Sequence, residues 1–150
     1  MSKEFQQKHQ QNQQKQPEIP NFTKQIKKAS KLSDVLKPEV FAPPQGWADK
    51  IAKELSEQLK TSQLRKVFTE IKNICDKQIK GNATSKEEIY LLYPKLAYSK
   101  GRGLMPKEFY ELLKTCLEKL VDKNSTKEDF ERFLQFFTAI VAYNKIHNKN

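Results

Sequence analysis

The sequence predicts an all-α protein: a compact bundle of about five helices over residues 45–147, preceded by a disordered or loosely structured basic, Gln/Lys-rich tail over residues 1–44. Three observations point there. Apolar residues recur at helical spacing in five separate segments after residue 45. No segment alternates apolar and polar residues over the length of a strand, and no repeat of fixed period is present. Residues 1–20 hold seven Gln and only Met1, Phe5 and Ile19 as apolar residues, too little to offset the entropy of ordering a backbone.

Between residues 21 and 44 the composition shifts to Lys with scattered Phe22, Ile26, Leu32, Leu36 and Phe41, punctuated by Pro38, Pro43 and Pro44. That pattern supports at most a short, marginal helix within residues 23–36, in a linker or in an arm that orders on a partner. The first firm helix spans residues 45–59, with Trp47, Ile51, Leu55 and Leu59 in i, i+4 steps. The second opens with Thr61 and Ser62 as candidate N-caps, carries Leu64, Val67, Phe68, Ile71, Ile74 and Cys75, and stops before Gly81. Thr84 with Glu87 and Ser85 with Glu88 match the capping-box pattern and start a third helix bearing Ile89, Leu92, Tyr93, Leu96 and Ala97. Pro94 lies inside it and is expected to kink or split it. Pro106 suits the first turn of a fourth helix with Phe109, Leu112, Leu113, Cys116, Leu117 and Leu120 on one face. Ser125 with Glu128 opens a fifth, whose apolar surface nearly encircles it from Phe133 to Tyr143. A helix of that kind is central to a bundle or covered by another chain.

The chain carries 28 Lys and Arg against 18 Asp and Glu, a formal charge of +10, which favours an anionic partner such as nucleic acid or a membrane surface. Net charge is +5 over residues 1–37, +4 over residues 38–103 and +1 over residues 104–150, so the partner-facing charge lies upstream of the last two helices. Cys75 and Cys116 fall on apolar helix faces and read as buried thiols; with only His9 and His147 available, no zinc spacing exists. No apolar run reaches membrane-spanning length and the N-terminal residues have no signal-peptide core, so a soluble, cytoplasmic protein is expected. No nucleophile with a base, no paired acids in a pocket pattern and no Gly-rich phosphate loop can be found. Neither catalysis nor a cofactor is expected.

Two stretches join cations to other nucleic-acid-binding side chains. In LKTSQLRKVF, residues 59–68, Lys60, Ser62, Gln63, Arg65 and Lys66 surround a helix start, where hydroxyl, amide and cationic donors could converge on one phosphate. In YPKLAYSKGR, residues 93–102, Lys95, Lys100 and Arg102 interleave with Tyr93 and Tyr98 at a helix end, so cations could hold phosphates while a tyrosine meets a base or sugar. A solvated, capped helix edge explains the first cluster equally well, and core tyrosines beside a Lys-rich helix end explain the second. A helical protein–protein adaptor with no direct nucleic-acid role therefore stands as an alternative.

LKTSQLRKVFTEI at 59–71, PKLAYSKGR at 94–102 and FERFLQFFTAIVAYNK at 130–145 together resemble the small subunit of the type III-A CRISPR effector, the Csm complex. The likeness covers roughly residues 47–145 in one order and spacing. It implies a small helical protein without catalytic activity, present in several copies stacked along crRNA and target RNA and contacting the backbone and large subunits. Matched by position, Lys60, Ser62, Gln63, Arg65, Lys66, Lys95, Tyr98 and Arg102 would face RNA, with Lys100 beside them and Lys145 in the third motif, where Tyr143 matches as well. Phe137, Thr138 and Ala139 depart from the family's usual residues before the Ala-Tyr pair.

Overall fold

The computed structural model describes residues 17–82 and 85–148. Among these, eight helices and no strand are present: α1 (Ile19–Lys28), α2 (Leu32–Val35), α3 (Pro38–Phe41), α4 (Trp47–Ser56), α5 (Thr61–Ile79), α6 (Glu87–Gly101), α7 (Lys107–Val121) and α8 (Lys127–His147). The five helices expected from periodicity are α4 to α8.

The N-terminal segment differs most from expectation. Residues 1–16 of the expected tail lie outside the described residues, but residues 19–41 form α1, α2 and α3. Ile19, Phe22, Ile26, Leu32, Leu36 and Phe41 are buried in the same core as the rest of the molecule. The reason is tertiary. The Glu54 carboxylate of α4 accepts the Glu18 and Ile19 N–H groups at the start of α1. At the other end, Lys119 Nζ of α7 donates to the carbonyls of Lys27 at 3.0 Å and Ala29 at 2.6 Å. Both orphaned ends of a ten-residue helix are thus satisfied by side chains far away in sequence, which no local pattern records. The Phe22 ring stacks on Trp47 with centroids 4.7 Å apart.

α8 is the axis of the bundle, packed against α2, α3, α4, α5 and α7. It buries Phe130, Phe133, Phe136, Phe137, Ile140 and Asn144, so the central reading of its wide apolar surface holds for this face, while Thr138 and Ala142 remain exposed. Phe137 is fully buried and sits among Phe68, Phe109 and Phe133, with centroids 5.3, 5.9 and 6.2 Å away. α7 covers α1 on one side and α6 on the other. Cys75 and Cys116 are buried free thiols; burial, with Asp76 nearby, pushes Cys75 up to about 12, and burial alone raises Cys116 further.

Helix ends shift by a residue from their expected places. α5 takes Lys60 as its N-cap and has no side-chain cap, because Thr61 Oγ1 turns inward to Asn144 Oδ1 at 3.2 Å. α6 is preceded by Lys86, and Ser85 offers only a 3.4 Å contact to the Glu87 N–H; Thr84 lies outside the described residues. α8 starts from Thr126, whose N–H donates to Asp129 Oδ2 at 2.8 Å, rather than from Ser125. Ser125 instead donates to Leu120 O and accepts from Lys86 Nζ. Pro106 is the residue before α7. α6 runs through Pro94 as one helix, with Pro94 on the exposed face, where water can satisfy the Tyr90 carbonyl that loses its partner. α5 and α6 both end in a Gly at φ +73°, Gly81 and Gly103. At each, the next residue's N–H reaches back to the carbonyl five residues earlier, Asn82 to Lys77 and Leu104 to Ser99, both at 2.9 Å. No helix of the described residues is long and apolar enough to cross a membrane.

Candidate nucleic-acid interface

The opening turns of α5 form a ridge with an open groove on each side. One groove is lined by Ser56, Glu57, Gln58, Leu59, Lys60, Thr61, Ser62, Arg65, Lys145 and Asn148. The other is lined by Gln63, Lys66, Val67, Glu70, Pro94, Lys95, Leu96, Tyr98, Ser99, Arg102 and Leu104. The first thus joins the start of α5 to the end of α8, and the second joins α5 to the last turns of α6.

The division follows from helix geometry. Successive residues of α5 advance by 100°, so Ser62 and Arg65 project to one side and Gln63 and Lys66 to the other, while Leu64 and Val67 point at the core. The side chains expected to converge on one phosphate are therefore shared between two grooves. Each groove receives cations from a second element: Lys145 in the first, Lys95 and Arg102 in the second. Among the described residues, no carboxylate lies within 4.0 Å of Lys60, Arg65, Lys66, Lys95, Arg102 or Lys145; Glu57 in the first groove and Glu70 in the second leave each with an excess of positive charge.

Asn144 fixes how the first groove is assembled. Fully buried on α8, it accepts from Thr61 and directs its amide toward Ala52 O at 3.5 Å, tying α8 to both α5 and α4. Lys145 is the next residue along. Asp49 of α4 anchors the end of α8 through His147 Nε2 at 2.5 Å, and accepts the Gln45 N–H at 2.7 Å. Burial raises the Asp49 carboxyl, but these two hydrogen bonds, with the nearby His147 and Lys53 charges, hold it below its ordinary value.

Of the ten site residues expected from sequence, nine line the two grooves. Lys100 lies in neither; its ammonium sits 4.8 Å from the Tyr110 ring centroid. Tyr143 is also elsewhere, donating its hydroxyl to Ala42 O at 2.6 Å and so holding the segment after α3. The two tyrosines of the second motif separate. Tyr93 is half-buried, and burial, Glu118 and Tyr90 push its phenol up to about 12. Tyr98 is 65% exposed, with the Arg102 guanidinium 5.7 Å from its ring centroid. Sequence reasoning missed Ser56, Gln58, Ser99 and Asn148 as groove residues. Their polar types carry no signal without the fold. Among the described residues no group of three or more His, Cys, Asp or Glu could hold a metal ion.

Residues 45–150 match the model of the family described as Csm2 Type III-A, which is 106 of the 150 positions. The chain belongs to the Csm2 family of type III-A. A Csm2 relative from Enterococcus italicus, described as "CRISPR system Cms protein Csm2", is 34% identical over 97 residues, covering 59% of this chain and 68% of the relative. No solved structure matches the chain. The likeness to the type III-A Csm small subunit drawn from three motifs is therefore shown, and both grooves fall within the Csm2 match. The helices α1, α2 and α3 precede it.

Proposed function

We propose that the chain is a non-catalytic small subunit of a type III-A RNA-guided effector complex in antiviral defence, holding crRNA and target RNA through the two grooves that flank α5. The observation that carries this reading is the shared ridge: Lys60 and Arg65 on one side and Lys66 on the other each meet cations from a different helix, and none of them is paired with a carboxylate. Unneutralised cations on rigid helical walls suit a polyanionic backbone, whose counterions they displace. Both grooves are open, as an extended strand requires. Both thiols are buried, so neither is an accessible nucleophile.

Contacts with other copies of the chain and with the backbone and large subunits belong to the same proposal. A third, largely apolar depression supports a docking role for α8: Phe41, Ala42, Ile79, Leu134, Ala139 and Ala142 line it, with Glu131 and Gln135 at its edge. If that surface were the whole function, the chain would be an adaptor with no RNA affinity of its own.

Titration against single-stranded RNA, duplex RNA and anionic vesicles at several salt concentrations separates these readings. RNA affinity should fall linearly in log–log form with salt, while vesicle binding stays weak. Salt-independent or undetectable RNA binding by both the free chain and the assembled complex would overturn the proposal.

A further inference from the structure

The two grooves differ in chemistry. The first has a single apolar lining residue, Leu59, amid hydroxyls, amides, cations and the Glu57 carboxylate. The second has buried Val67 and Leu96 as an apolar floor, with the exposed Pro94 and Leu104, the cations Lys66, Lys95 and Arg102, Glu70 and Tyr98 also in its lining. The Tyr98 ring is not part of the core. It is 65% exposed, and its only ring contact among the described residues is the Arg102 guanidinium. Tyr93, one turn earlier on the same helix, packs against the core instead. An aromatic ring kept in water beside three unpaired cations and over an apolar floor offers a surface that a phosphate backbone alone would not use.

We infer that the second groove holds an unstacked nucleobase of single-stranded RNA against Tyr98, while the first groove holds sugar and phosphate only. This rests on the RNA reading above and sharpens it. Lys66, Lys95 and Arg102 are placed to take the phosphates flanking that base, and Arg102 also fixes the ring that receives it. Gln63 and Ser99 line the same groove and supply hydrogen-bonding edges. Bases inside an A-form duplex cannot reach such a ring, so the subsite selects single strands, bulges or splayed bases over continuous duplex. Any π-face can stack there, so the preference is for strandedness and not for sequence.

The test uses the full chain and two probes, a mixed-sequence single-stranded RNA and an abasic strand with the same number of phosphates, read by fluorescence anisotropy. Tyr98→Ala should weaken binding to the base-bearing strand by about 5- to 150-fold, the span expected for one stacked base. It should leave abasic-strand affinity and both salt slopes at wild-type values, and Tyr98→Phe should restore base-bearing affinity. Arg65→Ala, in the other groove, should weaken both strands alike. If Arg65→Ala weakens both strands while Tyr98→Ala weakens neither, or weakens both equally, RNA binding stands and the base subsite is overturned. If the wild-type protein binds neither strand, both as the free chain and in the assembled complex, the RNA reading falls and the subsite with it.

Discussion

Asp129 Oδ1 accepts the backbone N–H of Ser33 at 2.8 Å, across 96 residues of sequence, while its Oδ2 accepts the N–H of Thr126 at the same distance. One buried carboxylate therefore caps α8 and holds α2 against it, with Lys31 Nζ 3.7 Å away.

Replacing Asp129 with Ala should cost about 2 to 4 kcal/mol at neutral pH, because it removes the cap and leaves two N–H groups without their acceptor. Burial raises this carboxyl, but the Thr126 and Ser33 hydrogen bonds and the Lys31 charge outweigh it, so the folded value lies below the ordinary 3.8. The stabilisation is then complete above that ordinary value and is lost as pH falls below it through the lower folded value. Urea unfolding at neutral pH and at stepwise lower pH should show the gap between wild type and Asp129→Asn closing as that window is crossed. A gap independent of pH would contradict the charge assignment.

Removing residues 1–41 should abolish cooperative unfolding. The six buried apolar side chains of α1 to α3 and the residue after α2 each contribute about 1.5 to 3 kcal/mol, which together match or exceed the net stability of an ordinary domain. A thermal melt followed by circular dichroism should broaden and move to much lower temperature. A melt unchanged from the full chain would show these helices to be dispensable.

Phe137→Ala should destabilise the protein by about 3 to 5 kcal/mol, since the ring is fully buried and is shared between Phe68 on α5, Phe109 on α7 and Phe133 on α8. Denaturant titration measures it. A loss well under 1 kcal/mol would place the ring outside the structural centre.

Arg65→Ala and Arg102→Ala should each weaken RNA binding and flatten its salt dependence by about one phosphate contact, with similar losses across RNA sequences. Thermal stability should hardly change, because both side chains are exposed and neither fills the core. Wild-type affinity and slope in both variants would remove the two grooves from the RNA interface.

How far the sequence could be read divides along a physical line. The five long helices declare themselves because Leu64, Val67 and Ile71, or Phe133, Phe137 and Ile140, keep a period that only one helical face satisfies. α1 is harder to read, since Ile19, Phe22 and Ile26 keep that spacing over only two turns beside Pro20 and several lysines, and its end caps, Glu54 and Lys119, come from α4 and α7. Caps failed by one residue where a hydroxyl had a better tertiary partner, as Thr61 has in Asn144. The basic motifs were legible as clusters, yet their partition was not. Whether Lys66 joins Arg65 or Arg102 depends on which face of α5 the core claims, and Lys100 shows that a cation inside a motif can turn to a neighbouring ring instead.

Because a single helix supplies a wall to both grooves, the grooves are geared to each other. Turning α5 about its own axis would change which of its side chains face each groove at the same time, and the separation of the grooves is set near one helix diameter, about 10 Å. The Thr61 to Asn144 hydrogen bond works against such a turn by pinning the first residue of α5 to the interior of α8. Two lengths of polyanion lying in these channels would thus be kept at a spacing set by the helix between them.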